Sequence, residues 1–394
     1  MKITRIIHPV GQGGFYTETL SNETQEATFV YDCGGFDKAK KKMKNYLDSF
    51  LPKGKPQKQI EAVFISHFHA DHINGLQDLL EKAMVKYLFL PQLTEEVLLE
   101  AFVYNFCLTG TYNYTNRFLM NLYRGSAKFG NEERQTKIIH VNYAADNRVP
   151  EDLNGEAFFE NGIELKAWDW EKGENVELSK IELFPANTLL YCCNWLFIPR
   201  NSKVAIENIE LLKKKLSDKL GAVIGITDLS VSLKKIGVEE CKKIYSEVFN
   251  GQHNSYSMTL FSGTLENVWR YSGKRPHVCC DKHLFCEDSF RLCCNPNILY
   301  TGDFEPANNM NDISSFYSRL WNEIGTIQVP HHGSILNYKD ELYEHPVRGI
   351  VSVGNENRYH HPDIETLVKI QNQGCHPVIV TEDKSSMRIC QYSL

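Results

Sequence analysis

The 394-residue sequence predicts an α/β protein with two sheets layered between helices, an αββα arrangement carrying helical insertions. Three observations lead there. Strand-like and helix-like stretches alternate in both halves of the chain. The residues best suited to bind metal follow the ends of apolar strands. No internal repeat recurs at a fixed period, which sets aside solenoids and propellers.

In chain order, short strands are expected at Lys2–His8, around Tyr16–Leu20 and at Thr28–Tyr31, the first two flanking the turn Gly11-Gln-Gly-Gly14. A helix over Lys38–Leu51, ended by Pro52, carries an apolar stripe at Met43, Leu47, Phe50 and Leu51. Glu61-Ala-Val-Phe-Ile-Ser66 is β-branched and aromatic, as a buried central strand is. The chain then bends through His67-Phe-His-Ala-Asp-His72 and turns helical from Gly75 to Glu81. Tyr87–Leu90 is a strand, and Thr94–Arg124 is helical with turn residues at Gly110–Asn113. Strands are expected at Lys137–Asn142, Ile163–Asp169, Lys180–Phe184, Ser257–Phe261, Ile298–Tyr300, Ile324–Val329, Gly349–Val353 and Pro377–Val380, and a helix at Ile364–Asn372. Residues 92–136 and 200–250, the latter rich in lysine, are expected as helical insertions on a single domain spanning 1–394.

Composition narrows the class. The chain is 42% hydrophobic and 23% charged, with no low-complexity tract and no apolar run long enough to span a bilayer. The N-terminus has no signal-peptide core, so the cytoplasm is the expected compartment. A net charge of −6 argues against wholesale coating by nucleic acid, though not against a local basic groove. Two lysine runs, Lys38–Lys58 and Lys213–Lys219, read either as solvated helix faces or as a phosphate-attracting rim. Twelve cysteines, three pairs of them adjacent, do not resemble a secreted disulfide framework. Most are expected to be reduced and buried; a structural zinc in the excursion 272–296, at Cys279, Cys280, His283, Cys286, Cys293 and Cys294, is the alternative.

Three stretches carry chemistry. His67-x-His69-x-Asp71-His72 sets four donors within six residues, so that two imidazoles can converge on one point and Asp71 with His72 on a second. Such donors suit zinc, manganese or iron, and a dinuclear site can hold a bridging hydroxide. A His-rich surface turn is the bland alternative. Ile298-Leu-Tyr-Thr-Gly-Asp303 ends an apolar strand in a turn that presents a carboxylate able to bridge two metals; alone, Thr-Gly-Asp is an ordinary turn. Val329-Pro-His-His-Gly-Ser334 could offer one ligand and one substrate-facing imidazole from His331 and His332, or one buried structural histidine.

Together these motifs resemble the metallo-β-lactamase superfamily, and within it the hydrolase domain of the bacterial competence DNA-uptake channel, ComEC. Val10-Gly-Gln-Gly13, Asp32-Cys-Gly-Gly35, His331-His-Gly-Ser334 and Ser352-Val-Gly-Asn-Glu-Asn-Arg-Tyr-His-His-Pro362 match that family's pattern in order, with His360 standing where the family has glycine. The resemblance implies a four-layer αββα metallo-β-lactamase fold and two divalent metal ions, zinc or manganese. His67 and His69 would hold the first metal. Asp71, His72 and one of His331 and His332 would hold the second, with Asp303 bridging. Asp32 would brace the metal loop. Asp71 and His361 would carry catalysis, while Ser334, Asn357 and Arg358 would meet substrate. Many superfamily members supply a further histidine to the first metal; here His253 is a candidate and Asn254 and Ser257 match the competence-type pattern. A first metal held by three donors would be weaker and more exchangeable, which leans toward manganese.

The implied activity is hydrolysis of a phosphodiester, with DNA or RNA as substrate and a role in defence or stress. Competing readings are a hydrolase of cyclic nucleotides, other small phosphodiesters, lactones or thioesters on the same fold, and a non-catalytic binding relative. No membrane association is expected. The insertions could engage a protein partner.

Overall fold

The computed structural model describes residues 1–36, 42–51, 57–111, 114–126, 129, 135–143, 147–153, 162–249, 256–265, 295–355, 357 and 360–393. The strands are β1 (Lys2–Ile7), β2 (Phe15–Ser21), β3 (Glu26–Cys33), β4 (Gln59–Phe64), β5 (Met84–Pro91), β6 (Lys137–Val141), β7 (Lys166–Asp169), β8 (Glu174–Val176) and β9 (Leu183–Phe184). They continue with β10 (Thr188–Cys192), β11 (Trp195–Arg200), β12 (Thr259–Gly263), β13 (Ile298–Tyr300), β14 (Thr326–Gln328), β15 (Arg348–Ser352), β16 (His376–Val380) and β17 (Arg388–Ser393). Among the described residues they form one sheet in the order β17-β1-β2-β3-β4-β5-β6-β9 and a second in the order β16-β15-β14-β13-β12-β11-β10-β7-β8.

Both sheets change character at the same place. In the first, β1, β2 and β3 pair antiparallel, whereas β3 to β6 pair parallel. In the second, β10 to β13 are antiparallel and β13 to β16 parallel. The parallel strands bury both faces, as Ala62, Val63 and Phe64 of β4 do, which explains their unbroken apolar runs. Loops leaving the carboxyl ends of β3, β4, β13, β14 and β15 all open on one side, where α/β sheets ordinarily bind ligands.

Three apolar clusters account for four layers. Phe29, Phe64, Phe89, Trp195, Phe197 and Leu260 fill the space between the sheets. Tyr31 stacks on Tyr300 across it, with ring centroids 4.6 Å apart. The outer face of the first sheet is covered by α1 (Lys42–Phe50), α2 (Ala70–Ile73), α3 (Leu76–Lys82), α4 (Glu95–Thr109), α5 (Tyr114–Tyr123), α6 (Ile206–Leu220), α7 (Leu229–Ile236) and α8 (Val238–Phe249). The helices Pro306–Phe316, Ser318–Trp321 and Ile364–Asn372 cover the second. Helices from 92–136 and 200–250 pack together: α4 lies against α6 and α8 and shares the core of the first sheet.

Several local expectations shift. Lys180–Phe184 keeps only the two-residue strand Leu183–Phe184, and a 3₁₀ turn at Leu178–Lys180 takes its beginning. The hairpin β10–β11 and the final strand β17 have no counterpart in the sequence reading. The hairpin is fully buried, and its turn places Cys193 in the left-handed region at φ 56°, a conformation not signalled by Asn-Gly or Asp-Gly. The Lys213–Lys219 run is paired: Lys213, Lys215 and Lys219 reach Glu95, Glu247 and Glu240 on neighbouring helices at 2.8–3.0 Å. No helix among the described residues is long and apolar enough to cross a membrane. The cysteine cluster 279–294 and the side chains of Lys38, Lys40, Lys41, Lys42 and Lys44 lie outside the described residues.

Candidate metal centre

Past Phe64, β4 gives way to a turn at Ser66, and His69 stands as the N-cap residue before the short helix α2. Glycines make this loop's packing feasible from one side. A Cβ on Gly13 would lie 2.2 Å from the Asp71 carbonyl oxygen, and one on Gly34 2.4 Å from the same atom. From the other side, Asn105 of α4 accepts from the Ala70 amide at 2.7 Å and donates to the Phe68 carbonyl at 3.1 Å. The loop is clamped between the first strands and helix α4.

Asp303 arrives from the second sheet. Its turn follows β13 and packs directly on Ser66, while the Asp303 amide donates to Ser257 Oγ at 3.2 Å. From β14 come His331 and His332, both with left-handed backbone (φ 47° and 57°), an uncommon conformation for such side chains. His332 Nδ1 donates to the Ser352 carbonyl at 2.8 Å, which leaves Nε2 facing the centre, 3.4 Å from Asp71 Oδ2 and 3.6 Å from Asp303 Oδ1.

Two donor groups result. His67, His69 and Asp303 bring one ligand atom each within 4.8 Å of one another, and so do Asp71, His72, Asp303 and His332. Asp303 belongs to both. His331 belongs to neither; its ring faces His361, with centroids 5.9 Å apart. The tertiary structure thus separates two histidines that the sequence left interchangeable.

The donor set fits a cation pair. Every member of the two groups is buried, and His67 Nε2, His69 Nδ1 and Asp71 Oδ1 have no hydrogen-bond partner among the described residues. Buried polar atoms are normally satisfied, so a cluster left bare calls for a bound group. Imidazole and carboxylate without thiolate suits zinc, manganese or iron. Electrostatics agree. Burial and then the neighbouring His72 hold the His67 imidazole well below its ordinary range, keeping it neutral as a ligand must be. Asp303 is held well below the carboxylate range against the opposing effect of burial, because His72, His331 and His332 surround it. His72 is raised, again against burial, by Asp303 and Asp32: in the protein alone, a proton on this imidazole supplies positive charge between the carboxylates.

Asp32 is wholly buried and accepts three hydrogen bonds, from the Ser66 amide at 2.7 Å, Ser66 Oγ at 2.8 Å and His72 Nδ1 at 2.7 Å. That bond aims His72 Nε2 at Asp303 Oδ1, 3.1 Å away. His331 and His361 stand at the more open edge; burial lowers the His331 imidazole to about 4, and also lowers His361. Asn357 spends its amide on the loop: it donates to the Gly354 and His361 carbonyls and accepts from the His361 amide. Ser334 is buried beneath the histidine turn, its amide donating to the His331 carbonyl. His253, Asn254 and Arg358 lie outside the described residues.

Residues on α4 and α8 that the sequence did not single out also reach the site. Glu100 of α4 is 1% exposed and lies 3.1 Å from His69 Nε2, and it accepts from the hydroxyls of Tyr245 on α8 and Tyr256. Tyr104 stacks on the His69 ring with centroids 3.5 Å apart. A signal existed: Glu100 is a lone carboxylate inside Val97-Leu-Leu-Glu-Ala-Phe-Val103, where a charge stays buried only with partners.

Residues 23–88, covering β3, β4 and the His67–His72 loop, match the Metallo-beta-lactamase superfamily profile. Among solved structures, the metallo-beta-lactamase fold protein YhfI from Bacillus subtilis is similar over 97% of this chain and 97% of its own, at 9% identity and a TM-score of 0.36. Human tRNase Z, short form, is similar over 96% of this chain and 92% of its own, at 11% identity and a TM-score of 0.33. No curated protein sequence matches the chain.

Proposed function

We propose that this protein is a hydrolase working with two divalent metal ions, and that its substrate is a phosphodiester of DNA or RNA. One observation carries the metal-dependent part: Asp303 is common to two buried donor groups, so that both would draw on the same carboxylate. When bound, a cation pair supplies acidified water and neutralises the charge that gathers on a phosphate in its transition state.

The chain's own residues do the rest. His67 and His69 would hold one ion, and Asp71, His72 and His332 the other, with Asp303 between them. Asp32 and Ser352 orient His72 and His332. His331 and His361, held neutral by burial at the open edge, are placed to exchange a proton or hydrogen bond with the departing oxygen. The substrate class rests on the resemblance of the Gly11–Gly14 and Ser352–Pro362 motifs to the competence-type hydrolases, and a role in nucleic-acid turnover or defence follows from that resemblance.

A matrix of zinc, manganese and magnesium against single-stranded DNA, duplex DNA, RNA and cyclic nucleotides tests the reading. Metal-dependent cleavage of a polynucleotide, lost in His69→Ala and Asp71→Ala, is the expected result. Turnover confined to cyclic nucleotides would move the substrate class, and full activity in either variant would end the site assignment.

A further inference from the structure

The inserted helices do more than decorate the fold. His69 is gripped on all sides but one. Its Nε2 faces the Glu100 carboxylate at 3.1 and 3.3 Å, and its ring face lies on Tyr104. The backbone on either side of His69, at Phe68 and Ala70, is held by Asn105 of the same helix. Its Nδ1 is buried and has no partner among the described residues.

Glu100 is fixed in turn. Tyr245 of α8 and Tyr256, which directly precedes the Ser257 that holds Asp303, both donate to its carboxylate. The two insertions, far apart in sequence, thus meet on one carboxylate beside the smaller donor group. Among the described residues that group has three protein donors, His67, His69 and Asp303, and the other has four. Each donor in a small set must be well aimed.

We propose that Glu100 is a positioning residue for the three-donor metal site: by accepting the Nε2 proton of His69 it fixes the tautomer that offers Nδ1 to the cation, and Tyr245 and Tyr256 hold Glu100 in place to do so. A carboxylate behind an imidazole also raises its basicity as a ligand. Occupancy of this site is then coupled to how the α4–α8 helical body docks on the sheet. This inference rests on the metal-binding reading above, and goes beyond it in assigning the insertions a part in the site.

The test is metal titration of the full-length protein stripped with chelator. Zinc is followed by calorimetry, and cobalt by its visible absorption, which reports ligand geometry. The wild-type chain is expected to take two equivalents. Glu100→Gln and Glu100→Ala are expected to bind one equivalent normally and the other about 10- to 100-fold more weakly, with the corresponding cobalt band shifted or lost. The double substitution Tyr245→Phe with Tyr256→Phe, which keeps the packing, is expected to weaken the same site by a smaller factor. Glu100→Asp, which keeps the charge, should recover part of the loss. Two equivalents bound by folded Glu100→Ala with wild-type affinity and spectrum would overturn the positioning role while leaving the metal reading intact. A wild-type chain that takes up no metal would overturn both.

Discussion

The turn that presents Asp303 sits directly on the turn that presents His67: a methyl group on Gly302 would lie 2.5 Å from Ser66 Cβ, and also 2.5 Å from Ser257 Oγ. The two halves of the candidate metal centre come from different sheets and meet at this point. Gly302 also has φ 56°, where a side chain costs about 1–2 kcal/mol before any clash is counted. Gly302→Ala is therefore expected to lower the melting temperature and to push Asp303 out of register. Elemental analysis should find one metal per chain or fewer. A variant with unchanged stability and two metals would show that the two turns are loosely packed.

Asp32 aims His72 and anchors Ser66 at once. Asp32→Asn preserves its shape but leaves a single acceptor oxygen for three donors. Affinity at the Asp71–His72–Asp303–His332 group is expected to fall about 10- to 100-fold, a typical loss when such a buried partner is removed. Competition against a chromogenic chelator measures it; a change smaller than about threefold would remove Asp32 from this role.

Metal removal should register as stability. A ligand present at 100 times its Kd adds about 2.7 kcal/mol to unfolding free energy. Thermal denaturation with and without EDTA, followed by zinc addition, is expected to show a reversible shift of several degrees. Absence of any shift would contradict a cation pair bound to the folded state.

His8 makes a separate prediction in acid. It is buried against Phe15, bonded to Tyr46 and Thr17, and burial with nearby Lys58 lowers its imidazole to about 3. The folded value lies below the unfolded one, so its contribution is fully present above about pH 6.5 and is lost as pH falls toward 3. Between those limits the loss approaches about 1.4 kcal/mol per pH unit. His8→Gln is expected to flatten the difference in urea-unfolding free energy between pH 6.5 and 4.5; an identical slope in both proteins would assign the acid sensitivity elsewhere.

If the Lys38–Lys58 run is a phosphate rim, charge reversal at Lys40, Lys42 and Lys44 should reduce the salt slope of polynucleotide binding by about 0.7–0.9 for every phosphate that is no longer neutralised. Alanine at Lys213 or Lys215, already engaged with Glu95 and Glu247, should leave that slope alone. Filter binding across salt concentrations separates the two runs, and no change at Lys40–Lys44 makes that stretch a solvated helix face.

Much of this protein was legible from local pattern. The runs before Ser66, Thr301 and Val329 read as strands because branched and aromatic residues cluster there, and the donors follow directly where each strand ends. Glycines at positions 13, 34 and 302 are also local signals, although what each one touches is not.

The sequence alone pointed to which side chains could bind a metal, since side-chain chemistry and short spacing are properties of a segment. The tertiary structure decided which of His331 and His332 points inward, that Asp303 lies between two groups, and that Glu100 with Tyr245 and Tyr256 stands behind His69. Those outcomes depend on strands and helices tens to hundreds of residues apart being packed together, and no local periodicity encodes which distant surface a side chain will meet.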